Sequence, residues 1–391
     1  MYKICVVTAT RAEYGLLKNV IKEIEKDEDL DLYLIATGTH LSNDYGYTVQ
    51  EIYDDGLIIS DEIQILDDGN DELGIINTMA NATRLLGEVL NRERPDLLVV
   101  LGDRYELLPI CQCAVVLGIP IAHISGGEIT EGAIDDFIRH AITKLSHLHF
   151  PGCEQYRQRI IQMGEEPNRV FNYGDVGIEN IINMEYMSRQ ELEKSLNIKL
   201  DKPFACVTFH PVTLENACVE QQIMQVLDAL KEVKDMIFII TKANADAGGK
   251  IINSCIDEFV KKNINSVAFY SVGIKRYLSL MKLSEFVLGN SSSGIVEAPS
   301  LKIPTINVGN RQKGRLQASS IINCEPKTNE ILDAINMART DAFKEIARNT
   351  VNPYGNGNTA TLIVQEIKKY VSKDDLDNRK KSFYDMAIER M

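Results

Sequence analysis

Apolar residues are distributed along this chain in two alternating patterns. Short, nearly continuous apolar runs occur at 4–8, 32–36, 97–101 and 119–124. Strands buried on both faces of a parallel sheet read this way. Longer stretches with apolar residues every three to four positions lie at 13–25, 71–93 and 106–117 and predict amphipathic helices. A second series begins at Phe204, with strands expected at 204–209, 236–241, 266–270, 286–288 and 305–308 and helices such as 218–234 and 248–262 between them. The strand–loop–helix rhythm predicts βαβ units, so the class is α/β with two doubly wound domains. The charged, weakly apolar stretch 186–202, closed by Pro203, sets the boundary near residue 190. The domains are then 1–190 and 191–370, followed by a terminal segment 371–391. A helix is expected at 359–371, after the turn-rich stretch beginning Asn352-Pro353-Tyr354-Gly355. No internal repeat is evident.

Composition narrows the function. The 391 residues are 45% hydrophobic and 25% charged with a formal net charge of −14, an ordinary globular balance that argues against nucleic acid or an anionic membrane as partner. A small anionic substrate held by a local arginine cluster remains open. The N-terminal apolar run reads as a strand rather than a signal peptide, and no run approaches the roughly 18 apolar residues of a membrane span. Eight cysteines are scattered, and the one close pair, Cys111 and Cys113, lacks zinc spacing and a partner pair. They read as buried thiols in a reducing cytoplasm.

Open parallel sheets bind ligands beyond the carboxyl ends of their strands, and two such domains face to face enclose a cleft. The residues just after each strand therefore carry the candidate chemistry. After the first strand, Thr8 to Gly15 leads straight into a helix without a G-x-G-x-x-G pattern, which weakens a nicotinamide reading. It offers Arg11 beside a helix N-terminus, either an anion site or a surface ion pair. Gly102-Asp103-Arg104 follows the 97–101 strand, and Asp103 is either a site residue or a helix cap. After the next strand, His123, Gly126, Gly127, Glu128, Glu131, Asp135, Asp136, Arg139 and His140 crowd one loop and helix start, with Asp135 and Arg139 as i,i+4 partners. A Gly-Gly loop with carboxylates, His and Arg points to acid/base work. In the second domain His210 ends a strand before Pro211, and Asn244 and Asp246 follow another. Gly289 to Ser300 places Ser291, Ser292 and Ser293 at a helix start and Glu297 one turn in, a cradle suited to a diphosphate with a carboxylate for a ribose. Arg311 and Arg315 follow the last strand.

In this order, Thr10-Arg11-Ala12-Glu13-Tyr14-Gly15, Gly102-Asp103-Arg104, Gly126-Gly127-Glu128, Asp135-Asp136 with Arg139-His140, His210-Pro211, Asn290 to Gly294 with Glu297, and Arg311-Gln312 with Gly314-Arg315 resemble the hydrolysing UDP-N-acetylglucosamine 2-epimerases, over roughly residues 3–370. The resemblance implies a GT-B-like fold of two Rossmann-type domains with an interdomain cleft, and a C-terminal helix or tail that crosses back to the first domain. It implies no cofactor, no metal and a homodimer. UDP is expected to leave by elimination to a glycal, after which water adds at C1 with inversion at C2, giving N-acetylmannosamine for sialic acid. Arg11, Arg104, Asn244, Ser271, Ser291, Ser292, Ser293, Glu297 and Arg311 are implied around UDP. Asp103, Glu128, Asp135 and His210 are implied as catalytic, with His123, Arg139 and Arg315 in support. Many members carry Glu two positions after the strand-end His, where this chain has Ser125, which shifts the acid/base assignment toward Glu128 and Asp135. The alternative substrate is the UDP-2,4-diacetamido-2,4,6-trideoxy sugar of legionaminic acid synthesis. More remote readings are a GT-B glycosyltransferase and a non-catalytic UDP-sugar-binding regulator.

Overall fold

In the computed structural model, which describes residues 1–43, 46–67, 69, 72–129, 134–211, 219–243, 249–270, 272–373 and 380–386, the strands form two six-stranded sheets. The first contains β1 (Tyr2–Thr8), β2 (Leu30–Thr37), β3 (Asp61–Ile63), β4 (Leu97–Leu101), β5 (Ile121–Ile124) and β6 (Leu148–Phe150), in the order β3-β2-β1-β4-β5-β6. The second contains β7 (Phe204–Thr208), β8 (Ile237–Thr241), β9 (Ser266–Phe269), β10 (Val287–Gly289), β11 (Thr305–Val308) and β12 (Ile321–Cys324), in the order β12-β11-β10-β7-β8-β9. All named pairings are parallel. Both sheets have one wiring: the chain winds outward from its first strand, returns, and winds outward the other way from its fourth. This is the doubly wound Rossmann order.

Helices fill the connections. They are α1 (Arg11–Lys26), α2 (Val49–Asp54), α3 (Glu72–Glu93), α4 (Leu107–Val116), α5 (Ile134–Leu145), α6 (Glu154–Gln162) and α7 (Val176–Asn183), then α8 (Arg189–Leu196), α9 (Val219–Glu232), α10 (Gly249–Lys262), α11 (Ile274–Leu283), α12 (Ser292–Val296), α13 (Thr328–Ala338) and α14 (Asp341–Asn349), and last α15 (Thr359–Val371). The expected strands and helices all occur, with ends shifted by a few residues. The edge strands β3, β6 and β12 were not anticipated. They are three or four residues long and include Asp61, Glu62, His149 and Asn323, so no apolar run announces them.

Contacts divide the chain into two units, residues 1–180 with 354–391, and residues 181–353. The first break lies ten residues before the expected 190, and α15, expected at the end of the second domain, belongs to the first unit. Its Ile363, Val364 and Ile367 share a core with Leu17, Val20, Ile21 and Ile24 of α1. Glu179 Oε2 accepts from the Ala360 amide at 2.8 Å and caps the start of α15, and Lys368 pairs with Asp27 and Asp29 at 2.9 and 2.6 Å. The chain re-enters this unit at Tyr354-Gly355, where a Cβ on Gly174 (φ +94°) would lie 2.8 Å from the Gly355 Cα. Two glycines allow that approach, and the Asp175 amide donates to the Tyr354 carbonyl at 2.6 Å.

The tail docks on this unit as well. Lys381 Nζ donates to the Lys144 and Ser146 carbonyls at 2.5 and 2.7 Å, at the end of α5, and pairs with buried Glu165 at 2.8 Å. Burial pushes Glu165 up, but His149, Lys144 and Lys381 outweigh it and hold the carboxyl at about 2.

The core alternates by strand face. Ile4 and Val6 of β1 pack toward α1 and α15, Cys5 and Val7 toward α3 and α4. The second unit has its own cluster, built on Val207, Phe238, Leu288 and Ile306. The seven described cysteines are free thiols. No described helix is long and apolar enough to cross a membrane.

Candidate functional site

Each sheet has one place where the strand order reverses, β1 beside β4 and β7 beside β10. Connections leave such neighbours toward opposite faces and open a crevice at the carboxyl ends. The sequence motifs fall on these ends.

At the end of β1, Thr10 caps α1 and accepts from the Glu13 amide at 3.3 Å. Glu13 is buried, and its Oε2 accepts from the Ala9 amide at 3.1 Å. Burial, followed by the charge of Glu106, pushes its carboxyl up to about 8. Arg11 points outward and forms the surface ion pair with Glu51, at 2.7 Å.

At the end of β4, Gly102 takes a left-handed φ of +80°. Asp103 does not cap α4, which starts at Leu107 after Glu106 without a side-chain cap. Its carboxylate instead meets Arg139 of α5, whose side chain is only 5% exposed. Arg139 also donates to the Glu128 carbonyl at 3.1 Å and lies 3.6 Å from Asp136. The expected Arg139–Asp135 pairing is thus replaced by a partner 36 residues away. Burial raises the Asp103 pKa; Arg139 opposes it, and Asp135 and Glu128 add to the rise. Asp135 and Glu128 thus lie close enough for their charge to act on Asp103, while the buried guanidinium itself meets Asp103 and Asp136. Arg104, next in sequence, is held differently: its Nε donates to buried Glu106 at 3.1 Å.

The loop after β5 is shaped by sterics. Ser125 sits at φ +62°. A Cβ on Gly126 would lie 2.9 Å from His123 Nδ1, and one on Gly127 2.6 Å from the Tyr156 carbonyl. Glycine is required at both. His123 is fully buried, and burial lowers its pKa to about 3, so the ring is neutral. Its Nε2 donates to the Gly102 carbonyl at 2.8 Å and Nδ1 lies 3.2 Å from the Thr143 hydroxyl. His123 thus ties the β4 loop, β5 and α5 together from behind.

In the second unit the organiser is Asn290, 1% exposed. Its side chain clasps the His210 backbone, Oδ1 accepting from the amide at 2.7 Å and Nδ2 donating to the carbonyl at 2.8 Å. Its own carbonyl accepts from Arg311 Nη1 at 3.1 Å and Gln312 Nε2 at 2.9 Å. One residue therefore gathers the ends of β7 and β10 and the loop after β11. Gly289 (φ +137°) is obligatory, since a Cβ there would lie 1.8 Å from the Thr208 carbonyl oxygen. Ser291 caps α12, accepting from the Ser293 amide at 3.3 Å. The helix has five residues and gives way to a 3₁₀ turn carrying Pro299. Glu297 therefore sits at its C-terminal cap rather than inside a longer helix. Tyr277 of α11 lies half-buried near Thr208 and Ser293, and desolvation there pushes its phenol up to about 12. Arg315 lies in the same turn as Arg311, where its amide bonds to the Gln312 carbonyl. Asn244, Ser271 and Glu131 lie outside the described residues.

The motifs contained Asn290, Gln312 and Glu13 without a role for any of them, and Tyr277 and Glu106 lay outside them. A polar residue placed between a strand-end glycine and a cap serine was the available signal for Asn290. For Gln312, Glu13 and Glu106 the signal is their burial, and for Tyr277 its place beside Thr208 and Ser293. Chemically, the first unit presents Asp103, a carboxylate with raised proton affinity, beside a fixed cation, a constellation suited to proton transfer. The second presents serine hydroxyls and an arginine at strand ends, suited to an anion.

The sequence profile of the UDP-N-acetylglucosamine 2-epimerase family matches residues 22–368. A Campylobacter jejuni protein named GDP/UDP-N,N'-diacetylbacillosamine 2-epimerase (hydrolyzing) is 42% identical over 344 residues, spanning 88% of this chain and 89% of that protein. The Escherichia coli polysialic acid biosynthesis protein P7 is 37% identical over 389 residues, 99% of this chain and 98% of its own. The crystal structure of the Neisseria meningitidis UDP-GlcNAc 2-epimerase bound to UDP-GlcNAc shares the fold, with a TM-score of 0.77 at 19% identity, covering 94% of this chain and 100% of that one. By profile, by relatives and by fold, the chain belongs to the UDP-N-acetylglucosamine 2-epimerase family.

Proposed function

We propose that the chain is a hydrolysing 2-epimerase of UDP-linked 2-acetamido sugars. The observation that carries this reading is Asp103 at the end of β4, paired with buried Arg139 and raised by burial and by the nearby charges of Asp135 and Glu128. One of these three carboxylates takes the C2 proton. The C1–O bond to the diphosphate breaks with its electron pair going to UDP, leaving a C1–C2 double bond. Water then adds hydroxide at C1, and a protonated carboxyl delivers a proton to C2 from the opposite face. A C2 hydrogen is weakly acidic, so relief of charge on the departing diphosphate must accompany its removal. Arg11, Arg104, His210, Asn244, Ser271, Ser291, Ser292, Ser293 and Arg311 take the UDP phosphates and uridine, and Glu297 the ribose hydroxyls. His123 and Arg139 act in support, as does Arg315.

The 42% identity to a diacetylbacillosamine epimerase supports the 2,4-diacetamido-2,4,6-trideoxy sugar as the substrate. N-acetylglucosamine is the second reading, supported by the relative named for polysialic acid biosynthesis, which matches over 99% of this chain. The enzyme is read as cytoplasmic, in keeping with its free thiols. It is also read as a homodimer. Leu73 and Ile76 of α3 and Val116 of α4, exposed by 61, 59 and 85%, offer apolar surface for association.

The test is incubation in D₂O with UDP-N-acetylglucosamine and with UDP- and GDP-linked diacetylbacillosamine, read by NMR. Release of nucleoside diphosphate and a free 2-epimer carrying deuterium at C2 is expected with one sugar. Intact substrate throughout the panel sinks the reading, and a 2-epimer without deuterium sinks the elimination step.

A further inference from the structure

Glu106 lies outside every assigned role, yet its burial is complete. It follows Gly102-Asp103-Arg104-Tyr105 at the end of β4 and makes no helix cap. One carboxylate oxygen accepts from Arg104 Nε at 3.1 Å, while the other is buried without a partner among the described residues. Removing a carboxylate from water costs several kcal/mol unless a cation and hydrogen bonds offset it. Here the cation is Arg104, whose side chain stays 38% exposed. The Arg104 guanidinium also lies 5.2 Å from the Tyr105 ring centroid, a cation–π distance. With Nε committed to Glu106 and the ring beside it, the two terminal amines have no protein partner among the described residues. Such a fork, fixed on one edge and open on the other, is built to receive an anion.

Glu13 completes the arrangement from the neighbouring loop. It is 5% exposed, one of its oxygens holds the Ala9 amide at 3.1 Å and the other is likewise unpartnered. Burial, and then the charge of Glu106, push it up to about 8. The cluster thus links the ends of β1 and β4, the switch point of the first sheet.

We propose that Glu106 is a positioning residue: its buried carboxylate holds Arg104 by Nε so that the open edge of the guanidinium meets the diphosphate of the sugar nucleotide. The inference rests on the nucleotide-sugar reading above and adds a residue to it. Glu106 touches no reacting atom and acts through Arg104.

The experiment compares wild type, E106Q, E106D, R104A and the double variant E106Q/R104A by UDP titration calorimetry, by kcat and KM, and by melting temperature. E106Q should weaken UDP binding by about 10- to 100-fold, the worth of a hydrogen bond to a charged group. E106D, which keeps the charge, should recover part of that loss. The double variant should bind no more weakly than R104A alone, because the two residues act as one unit. Additive losses, or full affinity in both E106Q and E106D, overturn the proposal. If E106Q does not fold, failure of E106D to weaken binding relative to wild type overturns it as well. Absence of UDP binding by wild type overturns the nucleotide-sugar reading itself, and the proposal with it.

Discussion

Replacing Arg139 with methionine tests whether the first-unit carboxylates are governed by that one cation. Arg139 meets Asp103, lies 3.6 Å from Asp136 and donates to the Glu128 carbonyl at 3.1 Å, with its own side chain 5% exposed. Breaking a fully buried ion pair from one side costs about 3–5 kcal/mol. Asp103 and Asp136 keep 25 and 24% of their side-chain surface in water, so water offsets part of the loss and about 2–3 kcal/mol is expected near pH 8. The pH dependence follows from the direction of the Asp103 shift. Burial, with Asp135 and Glu128, raises its folded pKa despite Arg139. A raised carboxyl holds its proton more tightly when folded. Its stabilising contribution is complete below the unfolded value of about 3.9 and is lost as pH rises through the folded value. Removing Arg139 raises that value further, so the loss widens. The deficit of R139M relative to wild type should therefore be larger near pH 8 than near pH 5. Adding D103N, which removes the charge left behind, should return much of the stability. The assay is urea unfolding by circular dichroism at both pH values, with hydrogen exchange of α5 isolating the local event. An equal deficit at both pH values, or D103N and R139M losses that simply add, refutes the reasoning.

Three further outcomes follow from the structure. Gly289→Ala places a Cβ 1.8 Å from the Thr208 carbonyl and should cost at least about 3 kcal/mol, seen as loss of the second unit's unfolding transition in a thermal melt. Asn290→Ala removes both bonds to the His210 backbone. It should destabilise that unit by about 2–4 kcal/mol, measured by chemical denaturation, and weaken UDP binding by calorimetry. Lys381→Met removes one of the groups that depress Glu165 to about 2. A depressed carboxyl stabilises above its unfolded value of about 4.3 and loses that stabilisation as pH falls through its folded value. The variant should therefore begin acid unfolding at higher pH than wild type, and an unchanged acid midpoint would count against the tail clasp.

The sequence alone specified the local elements, because burial on both faces writes a continuous apolar run and burial on one face writes a helical period. It also placed the chemistry at strand ends, since Gly102, Gly126, Gly127 and Gly289 mark where the backbone must turn. Pairings lay beyond it. Arg139 has Asp135 four residues before it, yet it meets Asp103, because β4 and β5 are neighbours and α5 returns over their ends. Arg11 stands in a recognisable motif but pairs with Glu51 at the surface, a choice that depends on where α2 packs. The short polar edge strands are formed by the ladder offered to them. The helix at 359–371 carries an apolar face that suits either unit. The crossing of Gly174 and Gly355, and the cap that Glu179 gives Ala360 from 181 residues upstream, give it to the first. Periodicity reports whether a residue is buried, whereas its partner is set by which distant strands the sheet order brings side by side.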